Sequence, residues 1–348
     1  MGIISDIQHA IEPEQGTNYH GDKIRYYLES ANTLSRILND FKTENVSYVV
    51  SLGDLLDGFN SRNHHVEEAM TNILDVFSGR QFSSFQFSFL FLEITQEAEI
   101  HHCIGNHELY CYPEYEDWLL AFEGYHNHFL SDRQWYYSFY PIPEIKFIIL
   151  NTFFFSAHSW EGEEVRSKAS ELVRSYNPNE DQNGTPHLAY GHPEKKWVLF
   201  NGGLGEEQIA WLDKELEDCY ESNTKAVICS HGPLSLVVCD SDGLCWDSEE
   251  VQELIFRKYP NVVLLCLSGF NSSHYFISNQ TSLGHTHQTW YGEEGGVHFL
   301  GLDAVFEIPP PSTHSFTLNL SSSSIVVRGK GETALPYLEI PLHLDSTS

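Results

Sequence analysis

The chain has 348 residues, 41% hydrophobic and 14% aromatic, a composition that excludes a disordered chain and supplies a substantial buried core. Its net charge of −30, from 19 basic and 49 acidic residues, disfavours binding to DNA, RNA and anionic lipid surfaces. The same charge would repel a phosphorylated substrate, so phosphate chemistry here requires bound cations rather than a basic groove.

The first half of the chain predicts strands that alternate with helices. Apolar runs predict buried strands over residues 2–5, 46–52 and 98–103. Apolar residues at three- and four-residue spacing predict amphipathic helices over residues 23–41 and 65–77.

The second half continues this alternation and then changes character. Strands are predicted over residues 146–150, 225–229 and 262–267, and helices over 205–219 and 248–258. The tail has the two-residue alternation of antiparallel strands, at residues 297–302, 315–320 and 325–328. This order predicts an α/β layered fold in a single domain that spans residues 1–348.

Polar side chains that can bind metal follow the predicted strands. In chain order they are Asp6, Gln8, Asp54, Asn106, His107, His231, His285 and His287. Ligands bind beyond the carboxyl ends of strands in sheets of this kind. Oxygen and imidazole donors without thiolates suit Mn²⁺, Fe or Zn²⁺. Asp54, held at its strand end by Gly53, is the carboxylate expected to bridge two metals.

Each of these residues also has an ordinary interpretation when it is taken alone. Asp6 is then best explained as a solvated carboxylate at a strand end, and Asp54 as a helix N-cap. Asn106 and His107 fit a turn, because Asn tolerates left-handed backbone geometry. His231 fits a buried, hydrogen-bonded core histidine. The metal site rests on the joint, ordered occurrence of all of them.

That ordered set resembles the calcineurin-like metallophosphoesterases, whose motifs are D-x-[HQ], GD, GNH[DE], H and GHxH. The matching residues are Asp6-Ile7-Gln8, Gly53-Asp54, Gly105-Asn106-His107-Glu108, His231 and Gly284-His285-Thr286-His287. Five ordered motifs in the right strand context are far more specific than any one of them. The resemblance implies a four-layer α/β/β/α sandwich.

The resemblance also implies a role for each motif residue. One metal would be held by Asp6, Gln8, Asp54 and His287. The second would be held by Asp54, Asn106, His231 and His285. His107 would be the catalytic histidine, which approaches the phosphate without binding metal. We further expect two neighbours, His9 beside the first motif and Glu108 beside His107, to support the site without binding metal.

Within that superfamily the chain resembles the manganese-dependent ADP-ribose/CDP-alcohol diphosphatases. The likeness extends to the segments 25–27, 53–60, 177–179 and 200–208. It implies hydrolysis of ADP-ribose to AMP and ribose 5-phosphate, and of CDP-alcohols such as CDP-choline and CDP-glycerol to CMP and a phospho-alcohol. The attacking hydroxide would be activated by two divalent ions. Mn²⁺ is the expected metal, and Mg²⁺, Fe and Zn²⁺ are the alternatives.

Two other functions stay open at this point. One is a different activity within the superfamily, either phosphomonoesterase or cyclic-nucleotide phosphodiesterase. The other is a catalytically dead binding protein, disabled by insertions in the site. Comparing the products formed from ADP-ribose, a simple phosphomonoester and cyclic AMP would distinguish the first alternative from the diphosphatase. Metal content would distinguish the binding protein from the enzymes.

The cysteines and the chain ends predict where the protein resides and what it binds. The seven cysteines are odd in number and form no CxxC pair, so we expect reduced, buried thiols. No signal peptide and no apolar run of membrane-spanning length is evident. We therefore expect a cytoplasmic monomer that binds a small nucleotide diphosphate, with no nucleic-acid or membrane partner.

Two segments depart from the family pattern and are expected to be insertions, at about residues 82–95 and 270–284. The second separates Gly269 from His285, although these two positions are nearly adjacent in the family. We expect both to be either lineage-specific loops or retained non-coding sequence. The first is apolar and uncharged over most of its length, which makes it prone to aggregation.

Overall fold

The computed structural model describes residues 1–18, 21, 23–79, 98–121, 135–186, 188, 192–269, 290–331 and 335–343. Within these residues, helices α1 to α8 span Ser30–Thr43, Phe59–Asn63, Val66–Phe77, Asn106–Cys111, Tyr115–Ala121, Glu163–Tyr176, Gly205–Ser222 and Ser248–Glu253. Strands β1 to β16 span Gly2–Ile4, Gly16–Thr17, Ile24–Arg25, Tyr48–Ser51, Glu99–His102, Tyr137–Ile142, Ile145–Ile149, Phe155–Ser156, Gly202–Gly203, Lys225–Ser230, Val263–Ser268, Trp290–Glu294, Val297–Gly301, Ser315–Leu320, Ser324–Lys330 and Tyr337–Pro341.

Two six-stranded sheets form the centre of the fold, in the orders β16-β15-β14-β1-β4-β5 and β12-β13-β11-β10-β7-β6. In the first sheet, β1, β4 and β5 run parallel to one another. In the second sheet, β7, β10, β11 and β13 do the same. The carboxyl ends of neighbouring parallel strands therefore lie along one edge of each sheet, where ligands are expected to bind.

The two sheets pack face to face, and helices cover their outer faces. The central core combines side chains of both sheets, such as Ile3 and Val50 from the first and Phe147 and Val227 from the second. The first outer core contains α1 and α3, and the second contains α7 and α8. The predicted α/β/β/α sandwich is thus confirmed.

Helix α7 illustrates how the sequence sets these elements. Its Leu212 and Leu216 are fully buried against the second sheet, as the apolar spacing predicts. Glu206 and Glu207 lie in the first turn, where negative charge favours the helix dipole. The helix ends at Ser222, and the next residue, Asn223, has a φ of 56°, in the left-handed region common just after helix ends.

The helix expected over residues 23–41 begins only at Ser30. Before it, β3 pairs with β2, and the N–H of Tyr26 donates to the carbonyl of Phe306 at 2.7 Å. The ring of Tyr27 packs on that of Phe306 instead of lying on the face of a helix. The apolar residues of this segment do have helical spacing, but the tertiary contacts of Tyr26 and Tyr27 keep residues 23–29 out of the helix.

Other elements differ from the sequence-based expectation for simple reasons. Helix α6 was not predicted, because only Ala169 and Val173 of its 14 residues are buried and the apolar pattern is weak. The helix expected over 248–258 is α-helical to Glu253 and continues with π-helical turns over Leu254–Lys258. Across the residues that the structure describes, no helix is both long and apolar enough to cross a membrane.

Candidate metal centre

Three of the predicted ligands converge where the two sheets meet. Asp6 follows β1, Asp54 follows β4 and His231 follows β10. Each offers a ligand atom, and these atoms all lie within 4.8 Å of one another. All three side chains are buried, His231 and Asp54 completely. A cation placed among them would have ligands from both sheets.

The backbone of the first-sheet ligands is held in an uncommon conformation. Asp6, Gln8 and Asp54 have φ angles of 51°, 40° and 58°, in the left-handed region. This conformation costs a non-glycine residue about 1–2 kcal/mol, and such residues often mark functional sites. Backbone hydrogen bonds from Asp6 to Gly53 (3.1 Å) and from Gln8 to Asp54 (2.9 Å) join the two loops and hold both in this shape.

His231 is oriented by the loop before Asp54. Its Nδ1 lies 2.7 Å from the carbonyl oxygen of Leu52, to which it donates, so Nε2 is directed at Asp54 Oδ2, 3.4 Å away. Burial alone would lower the pKa of His231, but the Asp54 carboxylate raises it to about 10. A Cβ at Gly53 would lie 2.6 Å from His231 Nδ1, so this approach requires glycine.

The Asp54 carboxylate is surrounded by groups that a cation could displace or share. Gln8 Nε2 donates to Asp54 Oδ2 at 3.0 Å, and the N–H of His107 donates to Asp54 Oδ1 at 2.9 Å. Burial alone would raise the pKa of Asp54, but His231 and His107 hold it below its ordinary value. Within the described part of the chain, none of its recorded partners is a lysine or arginine.

Asn106 is the first residue of α4 and is 4% exposed. Among the atoms that the structure describes, its Oδ1 is buried without a hydrogen-bond partner. Its side chain is hydrogen-bonded to the Tyr110 hydroxyl, which keeps its proton because burial raises the pKa of Tyr110 to about 12. A buried acceptor oxygen without a donor is costly and fits a bound cation.

His107 lies at the rim of this cluster, with 19% of its side chain exposed. The N–H of Gly58 donates to its Nδ1 at 2.9 Å, so in the neutral ring the hydrogen lies on Nε2. Nε2 is 4.0 Å from Asp54 Oδ2, so this N–H faces the carboxylate cluster. The Tyr110 ring, with its centroid 5.3 Å away, packs beside the imidazole.

Two supporting residues have roles that the sequence did not assign. Asp57 Oδ2 lies 3.6 Å from His107 Nδ1. The sequence feature that could have identified Asp57 is its place three residues after Asp54 in the same loop. Glu108, expected to support His107, instead accepts hydrogen bonds from the backbone N–H groups of Asp54, Leu55 and Gly105. Its contribution is therefore to the loop that carries Asp54.

His9, also expected to support the site, joins the loop after β1 to the turn before α1 and to helix α3. Burial lowers the pKa of His9 to about 4, so its ring is neutral. Nδ1 donates to the carbonyl oxygen of Tyr27 at 3.1 Å, and Nε2 accepts from Asn72 at 3.3 Å. Its backbone N–H also donates to the carbonyl of Leu55, which adds to the contact between the two loops.

The remaining predicted ligands, His285 and His287, lie outside the described residues, as do both expected insertions. The chain before them is described as far as Gly269, which follows β11. A Cβ at Gly269 would lie 3.0 Å from Asp6 Oδ2 and 3.1 Å from His231 Nδ1. Residue 269 therefore lies beside two of the candidate ligands.

The cysteines are as expected. All seven are free and buried, at positions 103, 111, 219, 229, 239, 245 and 266. Burial raises the pKa of thiols such as Cys219, to about 11, so they remain protonated and unreactive near neutral pH.

Comparison with known proteins gives this arrangement a family context. A family model described as calcineurin-like phosphoesterase matches residues 1–269. Proteins named manganese-dependent ADP-ribose/CDP-alcohol diphosphatase from Arabidopsis thaliana and Homo sapiens are 31% and 26% identical to the chain. The alignments cover 91% and 95% of this chain and 88% and 90% of those proteins.

Solved structures agree with the sequence comparison. The crystal structure of a dimetal phosphatase from Danio rerio matches the chain with a TM-score of 0.80 and 26% identity, over 98% of each chain. The family match extends over more than half of the chain, and the Arabidopsis protein is related over nearly all of it. The chain belongs to the calcineurin-like phosphoesterase family and is a metal-dependent hydrolase of phosphate esters or anhydrides.

Proposed function

We propose that the chain hydrolyses the phosphoanhydride of ADP-ribose and of CDP-alcohols such as CDP-choline and CDP-glycerol, in a Mn²⁺-dependent reaction. The products would be AMP and ribose 5-phosphate, or CMP and a phospho-alcohol. The observation that carries the proposal is the buried convergence of Asp6, Asp54 and His231 beside the unsatisfied Asn106 oxygen. The names of the related proteins supply the substrate class.

The donor chemistry fits two divalent cations. One would be held by Asp6, Gln8, Asp54 and His287, and the other by Asp54, Asn106, His231 and His285. Gln8 now directs its amide nitrogen at Asp54, so it would bind a cation only after a 180° turn that presents its oxygen. Carboxylate, amide oxygen and imidazole ligands suit Mn²⁺, and the N–H that His231 donates to Leu52 directs its Nε2 at Asp54, where it would bind metal.

When bound, the two cations would supply positive charge for the phosphate oxygens and lower the pKa of an attacking water. The chain itself carries a large excess of negative charge, with a net charge of −30. Asn106 and His231 would hold their donor atoms in place without rearrangement, because their backbones are fixed by α4 and β10. Such preorganisation is the main way in which an active site stabilises developing charge.

His107 would act on the phosphate without binding metal. Its Nε2–H faces the carboxylate cluster and lies at the exposed rim, where a substrate phosphate can reach it. From there this N–H would donate a hydrogen bond to a phosphate oxygen as negative charge develops there. Only the charged ring, with a hydrogen on both nitrogens, could instead transfer a proton to the leaving phosphate group. Gly58 and Tyr110 would keep the ring in that orientation.

We also propose a cytoplasmic monomer. Seven buried, unpaired cysteines are typical of a reducing compartment. Fractionation of cells that express the tagged protein, followed by size-exclusion chromatography with light scattering, tests both statements. A vesicular fraction or a dimer mass would contradict them.

The decisive test of the activity is product analysis with purified protein. ADP-ribose, CDP-choline, p-nitrophenyl phosphate and cyclic AMP would be incubated with and without Mn²⁺, beside an Asp54→Ala control. We expect Mn²⁺-dependent release of AMP and CMP that the control lacks. Preferred turnover of p-nitrophenyl phosphate or cyclic AMP would favour a different phosphoesterase, and no turnover by folded protein would favour a dead binding protein.

A further inference from the structure

Glu108 makes a cluster of contacts with the loop of the proposed bridging carboxylate. It is the third residue of α4 and only 2% exposed. Its Oε2 accepts the N–H of Asp54 at 2.9 Å and that of Gly105 at 2.8 Å. Its Oε1 accepts the N–H of Leu55 at 2.7 Å. One carboxylate therefore holds backbone groups from the loops after both β4 and β5.

The contact is reciprocal. The Asp54 side chain accepts the N–H of His107 at 2.9 Å, while the Glu108 side chain accepts the N–H of Asp54. The loop after β4 and helix α4 thus each supply a carboxylate that binds the backbone of the other. A Cβ at Gly105 would lie only 2.9 Å from both Glu108 Oε2 and Asp54 N, so the two loops leave no space for a side chain there.

These bonds fix the conformation that directs the Asp54 carboxylate into the site. Asp54 has a φ of 58°, which a non-glycine residue keeps only where its surroundings impose it. Glu108 accepts two of the hydrogen bonds that impose this conformation, from the N–H groups of Asp54 and Leu55. Hydrogen bonds to an ionised acceptor are stronger than those to a neutral one.

We infer that Glu108 is a positioning residue that sets the place of the Asp54 carboxylate and thereby the spacing of the two cations. This inference rests on the proposed function, because Asp54 is a bridging ligand only if the site binds two cations. Both oxygens of Glu108 are directed at backbone N–H groups, so the residue acts through Asp54 rather than as a ligand. His102, with Nε2 at 3.6 Å from Oε1, lies on its other side.

The side chain must be a carboxylate for this role. Glutamine has the same shape but only one acceptor oxygen, which can serve either the Leu55 position or the shared position of Asp54 and Gly105. At the other position its NH₂ group would face a backbone N–H, and the two donors would repel each other. Glu108→Gln should therefore loosen the Asp54 loop while leaving the volume of the buried side chain unchanged.

The test compares Mn²⁺ binding in wild type, Glu108→Gln and a matched control, Glu215→Gln. Glu215 is also a mostly buried carboxylate with two hydrogen-bond partners, but it lies on α7 against the second sheet. Mn²⁺ affinity would be measured by titration, and the spacing of the two ions by the electron paramagnetic resonance spectrum of the coupled Mn²⁺ pair. We expect Glu108→Gln to weaken Mn²⁺ binding about 10–100-fold and to change the coupled spectrum.

Glu215→Gln should lower the unfolding temperature and leave both the affinity and the spectrum unchanged. A folded Glu108→Gln protein with wild-type affinity and spectrum would overturn the inference, as would an equal loss of affinity in the control. If Glu108→Gln does not fold, Glu108→Asp decides, because its shorter carboxylate cannot reach all three N–H groups. Failure of the wild type to bind Mn²⁺ would instead refute the proposed function.

Discussion

Two largely buried carboxylates in this molecule are neutralised in different ways. Glu215, on the outer side of the second sheet, binds Lys146 at 2.9 Å and the hydroxyl of Ser138 at 2.7 Å. Asp54, where the two sheets meet, has no lysine or arginine partner in the described part of the chain. Its recorded partners are the Gln8 amide, the backbone N–H of His107 and two imidazoles.

The difference is the one expected if Glu215 serves the structure and Asp54 binds cations, as we propose. A lysine supplies a permanent charge, so the Glu215 pair is complete within the protein. An imidazole can give up a proton and an amide can turn to present its oxygen. The surroundings of Asp54 can therefore accommodate a cation. The left-handed backbone at Asp54 likewise favours function over local stability.

The largest expected effect comes from Asp54→Asn. The variant keeps an oxygen for the His107 N–H but loses the charge that two cations would share, so hydrolysis of ADP-ribose should fall by more than about 10³-fold. Mn²⁺ should also no longer raise the unfolding temperature, because ligand-linked stabilisation requires binding. Assays of AMP release and thermal unfolding with and without Mn²⁺ check both, and retained activity would place the site elsewhere.

His107→Ala separates catalysis from metal binding. It removes the Nε2–H at the rim, so kcat for ADP-ribose should fall by about 10²–10⁴-fold. Mn²⁺ affinity should stay within a few-fold of wild type, because His107 is not among the proposed ligands. Steady-state kinetics and a Mn²⁺ titration test this pair of outcomes. A large loss of Mn²⁺ binding would make His107 a ligand instead.

The pH dependence of Mn²⁺ binding also distinguishes the surroundings of Asp54 from those of Glu215. Without a cation the pKa of His231 is raised to about 10, so its charged form is present below that pH and is lost as the pH rises through it. The stability that its pairing with Asp54 contributes is therefore complete below a pH of about 6.5 and declines towards pH 10. A cation at Nε2 must displace this proton.

Binding of Mn²⁺ near pH 8 should therefore release about one proton from His231, and the affinity should rise by up to about tenfold per pH unit. Isothermal titration calorimetry in two buffers of different ionisation enthalpy measures this release. Heats that do not depend on the buffer would mean that His231 is already neutral or is not a ligand.

The smallest expected effect is that of Glu215→Gln on activity. Loss of the charged partner of Lys146 should lower the free energy of unfolding by about 1–3 kcal/mol. The kcat, KM and Mn²⁺ affinity should not change, because Glu215 lies on the outer side of the second sheet. Chemical denaturation and the ADP-ribose assay measure the two quantities. Reduced Mn²⁺ affinity in this variant would remove the distinction between the two carboxylates.

Much of the fold and several site residues were predictable, because parallel strands and their carboxyl ends leave a strong sequence pattern. Apolar runs placed β4, β5, β10 and β11, and the polar residues after them include Asp54, Asn106 and His231. The same alternation predicted an α/β layered fold, and the family resemblance implied the four-layer sandwich that is confirmed. Convergence of the first-sheet and second-sheet residues required only that the two sheets pack face to face.

What was missed depends on tertiary contacts that sequence spacing does not encode. Ser30 begins α1 because Tyr26 and Tyr27 bind Phe306, which is far away in the chain. The role of Glu108 depends on which backbone N–H groups lie near it. Its position in the motif, next to His107, suggested only that it supports His107. The metal-ligand roles of all the candidate residues stay predictions, and His285 and His287 also lie outside the described residues.

The foremost hypothesis is that the residues around Asp54 form a two-cation site that drives phosphoanhydride hydrolysis. It is tested most directly by titrating Mn²⁺ into metal-free protein while bound Mn²⁺ and AMP release from ADP-ribose are followed together. We predict saturation at about two Mn²⁺ per chain, with activity that rises as the sites fill. AMP release without bound divalent metal, or saturation with Mn²⁺ without any AMP release, would refute the two-cation mechanism.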